Sequence, residues 1–301
     1  MNTMTLTGDV ASVLDAYRTC ELLTVGRDGT PIAWPVVPVR RADGTLLVTT
    51  SIGLPQKALN VRRDPRVALL FSDPTGSGLT APPQILVHAH ATCPDEIVTA
   101  AGPAADQWRL LAERQPSSSA YPRFALTRRL MDWYYMRLLI TVTPVAVTTR
   151  PPAPAGGPMA AAAVPGGGPP AEAARRLPRF TSGVVAAFDE SGAPTLARVR
   201  PAVAGGALRF TGPALRPGRA SLLCHSHDAK LSGLRAFVVT GELTRDGDGW
   251  LLTPDRFVPG ADGLNPLDMV RAIRRMRATA ARYLQRRGLA RPQIPWEQYR
   301  F

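Results

Sequence analysis

Residues 49–67 read TTSIGLPQKALNVRRDPRV and carry the strongest structural signal in the chain. An apolar strand ends in hydroxyl side chains at 49–51, a short turn follows, and a helix is predicted over 55–63, ending before an Asp-Pro pair. Lys57 lies in the first turn of this helix, where backbone N–H groups are free, and Asn60 follows on the same face. Taken alone, the segment predicts either an anion site or a solvated helix whose lysine faces water.

Short apolar runs and glycine turns surround this segment on both sides. The pair Asp28-Gly29 is typical of a hairpin turn. Strands are predicted at 22–25, 31–40, 46–50, 67–71, 85–92 and 139–149, with helices at 7–18 and, in two pieces, between 103 and 137. The sequence therefore predicts a mainly β fold, an antiparallel barrel with appended helices.

A segment of biased composition divides the chain. Residues 151–176 read PPAPAGGPMAAAAVPGGGPPAEAARR, which is almost entirely proline, glycine and alanine and predicts a linker. The predicted organisation is a first domain over 1–150, this linker, a second domain over 177–262 and a basic helix and tail over 263–301.

The second domain repeats the first in the order of its predicted strands. Strands at 182–188, 207–211, 220–223 and 237–242 correspond to 22–25, 46–50, 67–70 and 86–91. Val67 lies sixteen positions after Ser51, but Ala220 lies only nine positions after Thr211, so the second copy has no room for most of the helix at 55–63. The sequence predicts a tandem duplication with one degenerate copy.

Several features of the first copy resemble a known family. They are Leu22-Leu23-Thr24-Val25, Asp28-Gly29-x-Pro31, Pro35-Val36, the strand end Thr49-Thr50-Ser51, and Lys57-x-x-Asn60-x-x-x-Asp64-Pro65-x-Val67. In order and spacing they resemble the split-barrel flavoproteins, the pyridoxamine 5'-phosphate oxidase-like family and the related flavin/deazaflavin oxidoreductases. The resemblance covers about residues 10–150. The second copy is similar in strand order alone and lacks equivalents of Lys57 and Asn60.

The resemblance implies tandem split β-barrels that bind FMN, or the deazaflavin F-420, between them. It implies that Thr50, Ser51 and Lys57 hold the cofactor phosphate, that Thr49 at the same strand end also belongs to the cofactor site, and that Asn60 orders this loop. Val36 and Val37 would lie along the ring system, and Gln84 would contact the cofactor. Members of the family usually form homodimers, so the resemblance also implies that two barrels in one chain act as a pseudo-dimer, with a further homodimer left open.

Composition and charge exclude some classes of protein. No apolar run is long enough to span a membrane, and the start of the chain does not read as a signal peptide. Three scattered cysteines argue against a disulfide framework and suit a reducing cytoplasm. The net charge of +13 suggests a nucleic-acid-binding protein. However, 34 of the 36 basic residues are arginines, and +7 of the net charge lies in residues 266–301. No aromatic side chains alternate with these arginines, so the sequence disfavours nucleic-acid binding.

The four histidines form two H-x-H pairs, His88/His90 and His225/His227. On a strand each pair presents both imidazoles on one face, so a metal or haem site is a minor alternative to two ordinary polar strands.

A basic helix is predicted over 264–289, capped by Asn265 and with an apolar stripe that includes Leu267 and Val270. Its arginines lie largely off the stripe. The main interpretation is a helix packed on a barrel with a solvated basic face. A cationic wall for an anionic cofactor tail or substrate is the second interpretation.

The sequence contains no evident catalytic acid or base and no G-x-S-x-G motif. A flavin carries out hydride transfer with its own ring, so this absence is compatible with an enzyme. We therefore predict a cytoplasmic flavoprotein oxidoreductase acting on a small molecule, with FMN ahead of F-420 as cofactor. The alternative is a non-catalytic protein that binds or sequesters flavin or haem.

Overall fold

The computed structural model describes residues 8–115, 122–153, 155–262 and 266–299. In chain order the first half contains α1 (Gly8–Ala16), β1 (Cys20–Val25), β2 (Pro31–Val36), β3 (Val39–Arg40), β4 (Leu46–Ser51), α2 (Gln56–Arg63), β5 (Arg66–Phe71), β6 (Gln84–Thr92), α3 (Ala105–Arg114), α4 (Ala125–Tyr135) and β7 (Arg137–Arg150). The second half contains α5 (Pro169–Arg176), β8 (Gly183–Phe188), β9 (Pro194–Val199), β10 (Ala202–Ala204), β11 (Ala207–Phe210), β12 (Gly218–Ser226), β13 (Arg235–Asp246) and β14 (Gly249–Asp262), and α6 (Pro266–Gln285) follows.

The described strands form two antiparallel seven-stranded sheets, one from each half. The first has the order β2-β1-β5-β6-β7-β4-β3, and the second, read in the matching direction, has the order β9-β8-β12-β13-β14-β11-β10. Each strand of the first sheet therefore has a counterpart at the same place in the second. The predicted tandem, mainly β architecture is confirmed.

Each sheet must curl because two consecutive strands lie at its opposite edges. In the first half β2 and β3 are separated by Val37-Pro38 alone, a connection that reaches at most about 10 Å. Arg200-Pro201 makes the same connection between β9 and β10. Proline cannot donate to a strand ladder, which is why the single strand predicted over 31–40 is two strands.

The second copy lacks the small helix of the first, as the spacing predicts. In the first half α2 joins β4 to β5, whereas residues 211–217, which join β11 to β12, contain no helix.

The predicted linker is shorter than its composition suggests. Its last eight residues form α5, whose Ala171, Ala173 and Ala174 are buried and which packs against β14. Met159 is also buried in the core of the second half. Small alanine side chains let a helix approach a sheet closely, so a segment without large apolar residues still packs.

The end of the chain returns to the first half. Ala280, Tyr283 and Leu284 of α6 are buried in the first core, and Tyr299 packs on Trp108 and Tyr135. The residues predicted as a separate tail thus complete the first half's packing. Val270 is exposed rather than packed, because the first turns of α6 extend past the core, and Asn265 lies outside the described residues.

An apolar seam and a buried ionic network join the two halves. The seam consists of Leu23, Val25, Ala33, Ala68, Leu70 and Leu86 from the first half and Val184, Ala186, Leu196 and Leu223 from the second. The network centres on Glu21, which accepts hydrogen bonds from Arg198 and Ser72 and contacts His225. The halves therefore form a pseudo-dimer within one chain. None of the described helices has the length and apolarity needed to cross a bilayer.

Candidate functional site

A cleft with a volume of about 1320 Å³ lies between the two halves. One wall comes from β2 and the turn that leads into α2, the opposite wall comes from β12, β13 and β14 of the second half, and α6 lines the remaining side. This volume exceeds that of a typical pocket for one small ligand and leaves room for two ligands.

Lys57 stands at one end of this cleft. Its Nζ donates to Thr50 Oγ1 at 3.1 Å, and the Thr50 hydroxyl in turn donates to the carbonyl oxygen of Leu54 at 2.8 Å. The indole ring of Trp34 lies 5.5 Å from Nζ, at cation–π distance. Within the described chain, no carboxylate forms a salt bridge with Lys57.

Arg137 supplies a second cation beside Lys57. It is 7% exposed, and its guanidinium carbon lies 4.1 Å from the ring centre of Tyr134 and 4.7 Å from that of Trp108. Ser51 pairs with Arg137 across the β4–β7 ladder. Arg137 Nε and Ser51 Oγ are both buried without a hydrogen-bond partner.

We call Lys57, Arg137, Thr50 and Ser51 the basic corner. Burial lowers the pKa of Lys57 to about 8, and the charge of Arg137 adds to this effect. Burying like charges together costs free energy unless an anion compensates them. Among the described residues, no carboxylate forms a salt bridge with either cation of the basic corner.

Asn60 holds α2 against the first sheet. Its Nδ2 donates to Thr24 Oγ1 at 2.9 Å, and the same oxygen accepts the indole N–H of Trp34 at 2.9 Å. Its Oδ1 accepts hydrogen bonds from Gln56 and Arg63. Asn60 is fully buried, so it positions the helix that carries Lys57 and does not itself face the cleft.

The structure brings most of the predicted site residues together. Val36, Val37, Thr49 and Lys57 line the cleft, whereas Thr50, Ser51 and Asn60 lie directly behind its surface. Gln84 is the exception. It begins β6, pairs with Arg150 and donates its side-chain amide to the carbonyl oxygen of Pro151 at 2.9 Å. Because this amide is engaged outside the cleft, the geometry does not support Gln84 as a cofactor contact.

Sequence reasoning missed three cleft residues from the first half, namely Trp34, Gln107 and Arg137. Gln107 donates to the carbonyl oxygen of Val37 at 2.8 Å, while its own Oε1 is buried without a partner. The register of β4 against β7 decides the position of Arg137. The local signal in the sequence was a charged residue at the start of a strand, two residues after the aromatic run Trp133-Tyr134-Tyr135.

The second half contributes histidines to the opposite wall. Glu21, as a carboxylate, can only accept, so His225 Nε2 donates to it at 2.7 Å. His227 contacts Thr19 Oγ1 at 3.0 Å and the carbonyl oxygen of Asp228 at 2.9 Å. The other pair lies on β6, where burial lowers the pKa of His88. Among the described residues no three His, Cys, Asp or Glu side chains form a metal site.

The charged side chains that line the cleft are mostly cations. The described lining residues include the cations Lys57, Arg137, Arg235, Arg275, Arg282, Arg286 and Arg287 and a single carboxylate, Asp95. Asp95 is itself paired with Arg62 and Arg287. A concave site of this kind attracts and retains anionic ligands.

Comparisons with known proteins found solved structures that resemble about half of the chain. No family model matches, and no curated protein matches. A candidate pyridoxamine 5'-phosphate oxidase from Listeria innocua is 17% identical, covering 46% of this chain and 94% of its own, with a TM-score of 0.31. An F420 reductase is 21% identical, covering 47% and 98%, with a TM-score of 0.30. The haem-storage protein HutZ from Vibrio cholerae is 16% identical, covering 48% and 95%, with a TM-score of 0.33.

With TM-scores of 0.30 to 0.33, these likenesses carry no argument about this chain, and the chemistry of the cleft must be argued from its own residues.

Proposed function

We propose that this protein binds a phosphorylated flavin-type cofactor in the cleft between its halves, with the phosphate in the basic corner. One observation carries the proposal. The side-chain atoms Arg137 Nε and Ser51 Oγ are buried and have no hydrogen-bond partner, and both residues lie beside the half-buried Lys57. A phosphate beside Lys57 would accept a hydrogen bond from its ammonium group and would offset the charge of Arg137.

The residues present fit such a cofactor. The wall beside the basic corner is formed by Trp34, Val36 and Val37, which offers an aromatic and apolar surface to a planar ring. A bound flavin would supply hydride or electron transfer through its own ring. The chain would bind the phosphate, orient the ring along β2 and exclude water on the side where the second half closes the cleft.

FMN is the cofactor we propose first, and the deazaflavin F-420 is the alternative. The basic corner suits the phosphate of either molecule. We propose further that the bound cofactor serves an oxidoreductase acting on a small molecule, because the cleft has volume beyond that needed by one ligand.

Sequestration without catalysis is the second candidate, and one observation favours it. His225 lines the cleft and its Nε2 is held by Glu21, so that Nδ1 is the nitrogen that could serve as an iron ligand. Haem also carries carboxylates that the cationic cleft would attract. Purified protein with a haem spectrum that disappears in His225→Ala would favour this candidate over the first.

The first test is a fluorescence titration of FMN with the full-length protein. We expect Lys57→Met to weaken binding by about 1–3 kcal/mol, because a charge-assisted donor to the phosphate is lost. Lys230→Met is a matched control, because the chain contains one other lysine and its side chain is exposed outside the cleft. Equal affinity of the Lys57 variant, the control and the wild type would overturn the proposed site.

A redox assay separates the two candidate functions. We expect the flavin-loaded protein to be reduced by a chemical donor and to be reoxidised by small-molecule acceptors faster than free FMN. Reoxidation no faster than that of free FMN would favour a storage role.

A further inference from the structure

The arginines of α6 and of the turn that follows it at 286–288 differ in their partners. Arg271 and Arg277, outside the cleft, and Arg287, at its rim, form ion pairs with Asp268, Asp132 and Asp95. Arg274 is exposed to solvent outside the cleft. Arg275, Arg282 and Arg286 all line the cleft, and in the described part of the chain no carboxylate lies within salt-bridge distance of them. The helix thus directs uncompensated positive charge into the cavity.

The three cleft arginines lie in one row. Arg275 and Arg282 lie about 20° apart around α6 and roughly 10 Å apart along its axis. Arg286 continues the row just past the end of the helix, where its backbone N–H donates to the carbonyl oxygen of Arg282 at 3.0 Å. Thr279 lies in the same row; its Oγ1 accepts a hydrogen bond from Arg282 at 3.3 Å and donates to the carbonyl oxygen of Arg275 at 3.0 Å. We call these four residues the arginine stripe.

Among the described residues of the lining, no group that faces the stripe neutralises it. Across the cleft the second half presents Arg235, His225 and His227. The carboxylate of Asp95 is shared by Arg62 and Arg287. The remaining charged groups of the lining are Lys57 and Arg137, the cations of the basic corner.

We propose that the arginine stripe is a second anion site and that it binds the substrate, a small organic acid with at least two carboxylate or phosphate groups. Arg282 and Arg286, one turn apart, would clamp one group, and Arg275 would take the other. The exposed apolar side chains of Leu54, Leu234 and Val258 also line the cleft and suit an apolar body between the acid groups. The proposal rests on the proposed function only in that this acid would meet the cofactor in the same cleft.

The test measures binding of citrate and of inorganic pyrophosphate to flavin-free, full-length protein by calorimetry at low salt. We expect the double variant Arg282→Gln/Arg286→Gln to bind both probes at least tenfold more weakly than the wild type, because two charge-assisted donors are lost. The control is Arg271→Gln/Arg274→Gln, which removes the same charge from exposed positions outside the cleft of the same helix. It should bind as the wild type does, and FMN affinity should be unchanged in both.

Four outcomes would overturn the proposal. If the control variant binds the probes as weakly as the double variant does, the net positive charge of the helix accounts for the binding. If only Lys57→Met loses probe binding, the anion binds in the basic corner. Stripe-dependent binding of a single-stranded oligonucleotide that displaces citrate would assign the stripe to nucleic acid. Stripe-dependent affinity for F-420 would assign it to the cofactor. If neither the wild type nor any variant binds flavin, but citrate binding is weakened only in the Arg282→Gln/Arg286→Gln variant, the proposed function is wrong and the second anion site is retained.

Discussion

Lys57 and Arg137 differ in how firmly they hold their charge. Burial and the neighbouring guanidinium lower the pKa of Lys57 to about 8, whereas an arginine stays protonated throughout the working pH range. The charge of the basic corner is therefore set by one titrating group. A bound anion favours the protonated ammonium and raises its pKa.

This asymmetry predicts a pH dependence of FMN affinity. Binding should be constant from about pH 6.5 to 7.5 and should weaken as pH rises above about 8, because the free protein then loses the proton that the complex requires. Lys57→Arg keeps the charge and does not titrate, so its affinity should stay flat to pH 9.5. Fluorescence titrations over this range check the expectation, and parallel curves for both proteins would contradict it.

Among the individual elements, α6 has two roles, because one of its faces packs in the core and the other lines the cleft. Its apolar face, with Ala280, Tyr283 and Leu284, is buried in the first core, while the arginine stripe faces the cleft. The helix follows the second half in sequence but packs on the first. It therefore closes the cleft and couples the stability of the first half to the end of the chain.

Leu284 and Leu289 offer a matched comparison for this packing. Leu284 is 5% exposed and Leu289 is 47% exposed. We expect Leu284→Ala to lower the free energy of unfolding by about 2–4 kcal/mol, because it leaves a cavity, and Leu289→Ala to change it by less than about 0.5 kcal/mol. Urea denaturation measures both values, and similar values for the two variants would mean that α6 is not integral to the core.

At the scale of the whole molecule, the ionic network around Glu21 fixes one half against the other. Arg198 Nη2 donates to Glu21 Oε1 at 2.7 Å, and both side chains are almost completely buried. Burial by itself would raise the pKa of Glu21, but Arg198 and His225 more than compensate and hold it below its ordinary value of 4.5. Removing the carboxylate would leave a buried guanidinium unpaired.

We expect Glu21→Gln to lower the free energy of unfolding by about 3–5 kcal/mol at neutral pH. Glu190→Gln, at an exposed turn, is the control and should have almost no effect. Because the pKa of Glu21 is lower in the folded state, its contribution is complete above about pH 4.5 and is lost as pH falls below that value. Wild type and Glu21→Gln should therefore converge in acid, and a constant difference down to pH 3 would refute this account.

The duplication could be predicted from the sequence because its signals are local. Turns such as Asp28-Gly29, the spacing of apolar runs and the shorter interval after Thr211 depend only on neighbouring residues, and the two matching sheets confirm them. The helix with Lys57 and Asn60 was likewise predictable from its turn and its proline. The composition of residues 151–176 predicted a linker throughout, but the end of this segment forms α5, whose buried face consists of alanines without larger apolar neighbours.

The amino-acid sequence alone determined the two copies, their strand order and the lysine at the head of α2. Tertiary structure alone decided that Arg137 lies beside Ser51, that Gln84 turns to Pro151, and that α6 returns across the cleft to the first half. The reason is physical. Local pattern fixes each element, but which elements meet depends on strand register and on burial of surfaces far apart in the chain, and no short stretch of sequence encodes either.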